Sequence, residues 1–139
     1  MLLKFPIPTF SLLVVLTTGF CGSPTEMTVQ DPYTNWNSVV VTATAYNSVA
    51  GQGVGNPQLT AWGDTLNPEV QSIAISRDLL KQGLDYGTPV KIKGLEGIFV
   101  VNDKMHWRWE KKIDIYMGTN QQKALEWGSR EVEICFPKK

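Results

Sequence analysis

Asp103 and Asp114 stand eleven positions apart in the run Val100-Val-Asn-Asp-Lys-Met-His-Trp-Arg-Trp-Glu-Lys-Lys-Ile-Asp-Ile-Tyr116. Each belongs to a short β-like stretch, and the loop between them carries Trp107, Arg108 and Trp109. Carboxyl groups can protonate a glycosidic oxygen or activate a nucleophile beside it, and aromatic rings can stack on sugar. No other segment of the chain concentrates so much potential chemistry.

Strand periodicity sorts the second half of this run. Over residues 111–117, Ile113, Ile115 and Met117 point one way while Lys112, Asp114 and Tyr116 point the other. The apolar set claims the core, so Asp114 faces outward or into a groove. If the stretches 97–103 and 111–117 pair as a symmetric hairpin, Asp103 lies opposite Asp114 with Cβ atoms ~5 Å apart. Two carboxylates that close share one proton near neutral pH. On spacing alone, the commoner arrangement is a pair of solvated aspartates neutralised by Lys111 and Lys112. The tryptophans divide similarly: Trp62 and Trp127 fit a core, whereas Trp107 and Trp109 sit in a charged loop and are hard to bury. Exposed rings there suit stacking on a sugar or a partner surface. His106 is the single histidine, and no HxxxH or Cys/His cluster exists, so neither a metal nor a cofactor is expected. Cys135, inside Val-Glu-Ile-Cys-Phe, reads as a buried strand residue rather than a nucleophile.

The elements that must hold these groups form one domain. Apolar residues make up 42% of the 139-residue chain and charged residues 19%, a globular balance. Formal net charge is zero, which removes the electrostatic case for nucleic acid or an anionic membrane surface. Residues 1–23 read as a secretory signal: Lys4 precedes an apolar run at Leu12–Leu16, too short for the ~20 residues of a spanning helix. Cys21 leaves lipid anchoring open, although Phe20 occupies the place where a lipoprotein signal wants a small residue. Export to the periplasm or cell envelope is therefore expected, with membrane contact only through Cys21. Residues 24–36 are polar and proline-punctuated, a linker. The domain runs over 37–139, and a monomer is expected.

Within it, 39–46, 70–75, 89–93, 97–102, 111–117 and 130–136 read as strands. Ser76 reads as the N-cap of a short helix closed by Gly83. Thr119 or Asn120 caps a second helix to Trp127, stopped by Gly128. Gly94-Leu-Glu-Gly97 reads as a hairpin turn. The glycines at 51, 53 and 55 form a loop without the Lys-Ser/Thr of a phosphate cradle. Short strands with two small helices predict a mainly β fold, a six-stranded barrel.

Several short strings recur in one order: Val-Thr-Ala-Thr-Ala-Tyr46-Asn, Leu-Thr60-Ala-Trp-Gly63, Ile-Ala-Ile-Ser76-Arg-Asp, Tyr-Gly87-Thr-Pro-Val-Lys-Ile, Val-Asn-Asp103 and Lys-Ile-Asp114-Ile-Tyr116-Met-Gly118. This order resembles the three-aspartate domain, a family similar to the catalytic core of membrane-bound lytic transglycosylase A, over about residues 39–136. The resemblance implies a double-psi β-barrel with a groove for peptidoglycan. It also implies cleavage of the MurNAc–GlcNAc β-1,4 bond to leave a 1,6-anhydro sugar. Asp114 would be the acid that protonates the glycosidic oxygen and then the base that takes the C6 hydroxyl proton. Asp103 would tune it, and Tyr46 and Thr60 would line the groove. Trp62, Trp107 and Trp109 would hold glycan, and Lys104 or Arg108 would meet peptide-stem carboxylates. The chain departs from the pattern at Ser76, where the family's first aspartate falls, and at Lys104–Trp109, which replaces a glycine-rich stretch. Two other readings accompany this one: an inverting hydrolase using both aspartates, and a non-catalytic, expansin-like wall-binding module.

Overall fold

The computed structural model describes residues 32–49 and 55–139. The expected signal segment with Cys21, most of the expected linker, and Gly51 and Gly53 lie outside the described residues. Eight elements follow in chain order: β1 (Asn37–Tyr46), β2 (Ser72–Ile75), α1 (Arg77–Leu80), β3 (Pro89–Ile92), β4 (Phe99–Lys104), β5 (Lys112–Tyr116), α2 (Gln121–Trp127) and β6 (Arg130–Phe136). The strands close into a barrel in the order β1-β5-β2-β4-β3-β6. The pairs β1/β5 and β2/β4 are parallel and the other four neighbours antiparallel. The fold is thus mainly β, a closed six-stranded mixed barrel with two short helices, in the double-psi arrangement expected above.

Alternation builds the interior. Val41 and Ala43, Ile73 and Ile75, Val90 and Ile92, Phe99 and Val101, Ile113 and Ile115, Ile134 and Phe136 all turn inward and are almost wholly buried. Cys135 falls between two of these on β6 and is only half-buried, a free thiol on the outer face rather than the core residue expected. Trp62 and Trp127 pack against the core from its edges, and the Trp127 indole N–H donates to the Ala43 carbonyl at 3.2 Å.

The turn between β3 and β4 matches expectation, and Gly97 is required there. Its φ is +85°, and a Cβ at that position would come within 2.1 Å of Gln71 Oε1. On α2, the Asn120 side chain accepts from Lys123 N at 3.0 Å, and Gly128 at φ +65° ends the helix. On α1, Ser76 stands at the N-cap but its hydroxyl does not cap. It accepts from the backbone N–H of Lys112 at 3.0 Å instead, tying the start of β5 to the end of β2.

The largest departure concerns β4 and β5, which do not pair. β2 lies between them, parallel to β4 and antiparallel to β5. Residues 105–111 therefore cross over rather than turn back, with Met105 N donating to Ile75 O at 2.8 Å at the start of the crossing. A connection of that length suits a hairpin or a crossover equally, and only the competition for β2's two edges decides.

Candidate functional site

Four side chains form a row across the outer face of four adjacent strands. Thr44 on β1 is in register with Asp114 on β5, Asp114 with Ala74 on β2, and Ala74 with Asp103 on β4. Two interstrand spacings separate the aspartates, so their Cα atoms stand about 10 Å apart, twice the distance a hairpin would have given. Ala74 is the only side chain between them in the row. With Tyr46, Lys104, Met105, His106 and Trp109, these three residues line an open cleft of about 230 Å³.

Asp103 reaches this face through an irregularity. Phe99 and Val101 point inward, so strict alternation would send residue 103 inward as well. The register slips by one between Ile73 and Ala74: Ile73 pairs with Val101, but Ala74 pairs with Asp103. Asn102 is the extra residue of the bulge, and from there on the faces are exchanged.

The two carboxyls are held differently. Asp103 Oδ1 accepts two backbone N–H groups, from Ala61 at 2.6 Å and Lys104 at 2.8 Å. Asp114 Oδ1 accepts the Thr44 hydroxyl at 2.9 Å, its one hydrogen bond among the described residues. Burial pushes both carboxyls above the usual aspartate range. For Asp103 the opposing pulls are the Ala61 and Lys104 N–H groups and the Lys104 charge. For Asp114 they are Thr44 and the Lys112 charge, while Asp103 adds the smallest upward push, as their separation requires. The Tyr46 hydroxyl is buried with no hydrogen-bond partner among the described residues. Burial first, then the charges of Asp103 and Asp114, drives its pKa far above the ordinary phenol value, so it stays a neutral donor.

These shifts give stability a pH dependence of known sign. A carboxyl whose pKa is raised by folding stabilises the native state below its ordinary pKa of 3.8, and loses that contribution as pH rises through the folded value. Asp114→Asn, which keeps an acceptor for Thr44, is therefore expected to raise the melting temperature at pH 7 and leave it nearly unchanged at pH 3. Thermal melts at the two pH values check this; a lower melting temperature at pH 7 would mean that the ionised carboxylate is stabilising.

Around the cleft, rings and cations interleave. Lys104 Nζ lies 4.6 Å from the Trp62 ring centroid, and Trp62 meets Tyr86 edge-on at 5.4 Å. Across the cleft, Lys112 Nζ lies 3.8 Å and the Arg108 guanidinium 5.1 Å from the Trp109 centroid. Trp107 is 73% exposed and touches only the neighbouring His106 ring among these aromatics. Thr60 lies beneath this surface. It is buried, and its hydroxyl accepts from Asp64 N at 3.1 Å. That bond shapes the loop whose next residue, Ala61, holds Asp103. Thr44 and Ala74 were not singled out in the sequence. Thr44 carries a usable signal, since alternation from Tyr46 puts it on the same face; Ala74 carries none until β2 is known to separate the aspartates.

Ser76 is completely buried. Asp78 lies outside the cleft, with Oδ2 accepting Lys111 N at 2.9 Å. Burial opposes ionisation of Asp78, but the adjacent Ser76 hydroxyl and the Lys111 N–H outweigh it and lower the pKa. No group of three potential ligating side chains that could hold a metal ion occurs among the described residues.

A closed double-psi barrel with a two-carboxyl cleft on its outer face is thus the class of domain the geometry defines. No family model matches the sequence, and no curated protein matches it. Among solved structures the chain is similar to the apo expansin of Clavibacter michiganensis, with a TM-score of 0.50 and 15% identity, over 74% of this chain and 52% of that one. A mutant of that expansin in complex with cellohexaose aligns with a TM-score of 0.49 and 14% identity, over 73% and 51%. The chain spans about half the length of these expansins, and the likeness is one of fold.

Proposed function

We propose that the cleft binds a glycan strand of the bacterial cell wall, with Asp114 as the group that gives a proton, or a hydrogen bond, to a sugar oxygen. The observation that carries this reading is the row Asp114–Ala74–Asp103. Two partly buried carboxyls flank a gap floored by a methyl group, with a neutral tyrosine donor beside them and stacked ring–cation pairs on the rim. Sugars ask for this mixture of polar donors, acceptors and flat apolar faces. The fold likeness to an expansin and the ordered resemblance to the three-aspartate domain both agree with it.

A second reading adds cleavage. Asp114 accepts one hydrogen bond where Asp103 accepts two, and its pKa is raised, which suits a group that first donates and then recovers a proton. Such a residue could act alone as the acid/base of a lytic transglycosylase. Water-dependent inversion would need both aspartates, at carboxyl separations of ~6.5–9.5 Å. Incubation with purified sacculi tests all of this. The protein is expected to co-sediment with them. Mass spectrometry then separates the chemistries: anhydro-muropeptides abolished by Asp114→Asn establish the transglycosylase, new reducing ends the hydrolase, and intact glycan the binding module. Absence of co-sedimentation and of products would sink the proposal.

A further inference from the structure

Residues 105–111, the crossing from β4 to β5, carry one wall of the two-carboxyl cleft, where Met105, His106 and Trp109 line it. Both ends of this crossing are held by one short stretch, the last residue of β2 and the three that follow. At the entry, Met105 N donates to Ile75 O at 2.8 Å, and Arg77 Nε donates to Met105 O at 3.3 Å. At the exit, Lys111 N donates to Asp78 Oδ2 at 2.9 Å, and Lys112 N donates to Ser76 Oγ at 3.0 Å. Between these anchors the loop bonds to itself, with Trp109 N donating to His106 O at 3.1 Å.

The exit anchor holds a conformation that a lysine does not favour. Lys111 has φ +45°, the one positive value at a residue other than glycine among the described residues. A side chain crowds its own backbone there, so the conformation persists where surrounding bonds over-determine it. Lys111 is gripped from both sides: Asp78 accepts its N–H, and its carbonyl accepts Thr42 N at 2.9 Å. Thr42 lies in the parallel ladder that sets Asp114 beside Thr44. The Asp78 carboxyl is ionised, which strengthens the bond it accepts. The turn at Lys111 also brings Lys112 against the Trp109 ring, with Nζ 3.8 Å from its centroid.

We propose that Asp78 is a positioning residue for the cleft: by holding Lys111 in its strained turn, it sets where His106 and Trp109 stand relative to Asp114. Asp78 lies outside the cleft and acts through the loop rather than on a ligand. The hold is a property of the fold, and its effect on ligand binding rests on the glycan reading. A ring moved from its place loses contact with the sugar face it would cover. A glycine at position 111 would adopt the positive φ without strain. The wall would then keep its place without Asp78, which distinguishes positioning from a general loss of stability.

Proton–nitrogen NMR of the full chain, with the Trp109 indole assigned through Trp109→Phe, tests the role beside titration with an N-acetylglucosamine oligomer. Asp78→Ala is expected to speed exchange of the Lys111 amide roughly tenfold and to move the Trp109 indole resonance. Oligomer binding is expected to weaken roughly fivefold, while the amides of Ile73 and Ile115 stay as protected as in the wild type. Asp78→Asn, which keeps a carbonyl acceptor, is expected to behave as the wild type. Lys111→Gly added to Asp78→Ala is expected to return both the indole resonance and the affinity, although the acceptor is still missing. An unmoved indole in Asp78→Ala, an equal loss of protection at Ile73 and Ile115, or no recovery with Lys111→Gly overturns the positioning role. If the wild type binds no oligomer, the glycan reading falls, and the indole and exchange measurements still decide the role of Asp78.

Discussion

Ser76→Asp, which would place a third carboxyl beside β2 and β5, is expected to destabilise the barrel by roughly 2–4 kcal/mol and to gain no activity. Ser76 is fully buried, and its hydroxyl accepts the Lys112 N–H at the junction of β2 and β5. A carboxylate there would be desolvated and would face the ionised Asp78 carboxyl, which already stands beside Ser76 and is bound to Lys111 N. Like charges that close disfavour each other's ionisation, and neither lines the cleft where a third acid could be used. Chemical denaturation measures the loss. Adding Asp78→Ala to Ser76→Asp is expected to recover part of it, because the repulsion goes while the burial cost stays. Full stability in the single variant, or new glycan cleavage from it, would show that position 76 can serve the cleft.

Ala74→Leu is expected to weaken glycan binding at least tenfold, about 1.4 kcal/mol, and to cost folding stability by ~1–3 kcal/mol, because Ala74 is buried beneath the cleft. Ala74 sits on the cleft side of β2, opposite in direction to the core residues Ile73 and Ile75. A larger side chain there would extend into the space between Asp103 and Asp114 instead of into the packed interior. Ala74→Gly is the control, since it leaves the gap open. Binding to sacculi and thermal melts of both variants separate blockage from unfolding. Undiminished binding by Ala74→Leu would mean that the ligand does not enter between the carboxyls.

The contrast between the aspartates shows what could be read from residue order. Asp114 lies on a strand of strict alternation, so its outward direction followed from Ile113 and Ile115 alone. Asp103 lies beyond a bulge, and the single unpaired residue Asn102 reverses the parity that Phe99 and Val101 set on β4. Their separation depended on which strand took the place between them, a competition among non-local pairings that no local pattern records. The number of strands, the α2 caps and the Gly94–Gly97 turn were legible because each has a local cause. Ser76 had the right residue type for a cap, but its hydroxyl went to a long-range backbone donor instead. Thr60 behaves similarly: a polar residue in the right string, used inside a loop.

The order of strands around the barrel also constrains how the domain can form. β1 is the first strand among the described residues, and both of its neighbours, β5 and β6, follow β2, β3 and β4 in the chain. During synthesis β1 therefore has neither of its partners until β2, β3 and β4 have been made. Contacts of such sequence separation are slow to close, and an unpaired strand edge invites association with other chains. A fragment ending before Arg130 would leave β1 and β3 each with an open edge, so the seven residues of β6 act as the latch of the whole domain. A tag or fusion placed directly after β6 must leave that latch free to close.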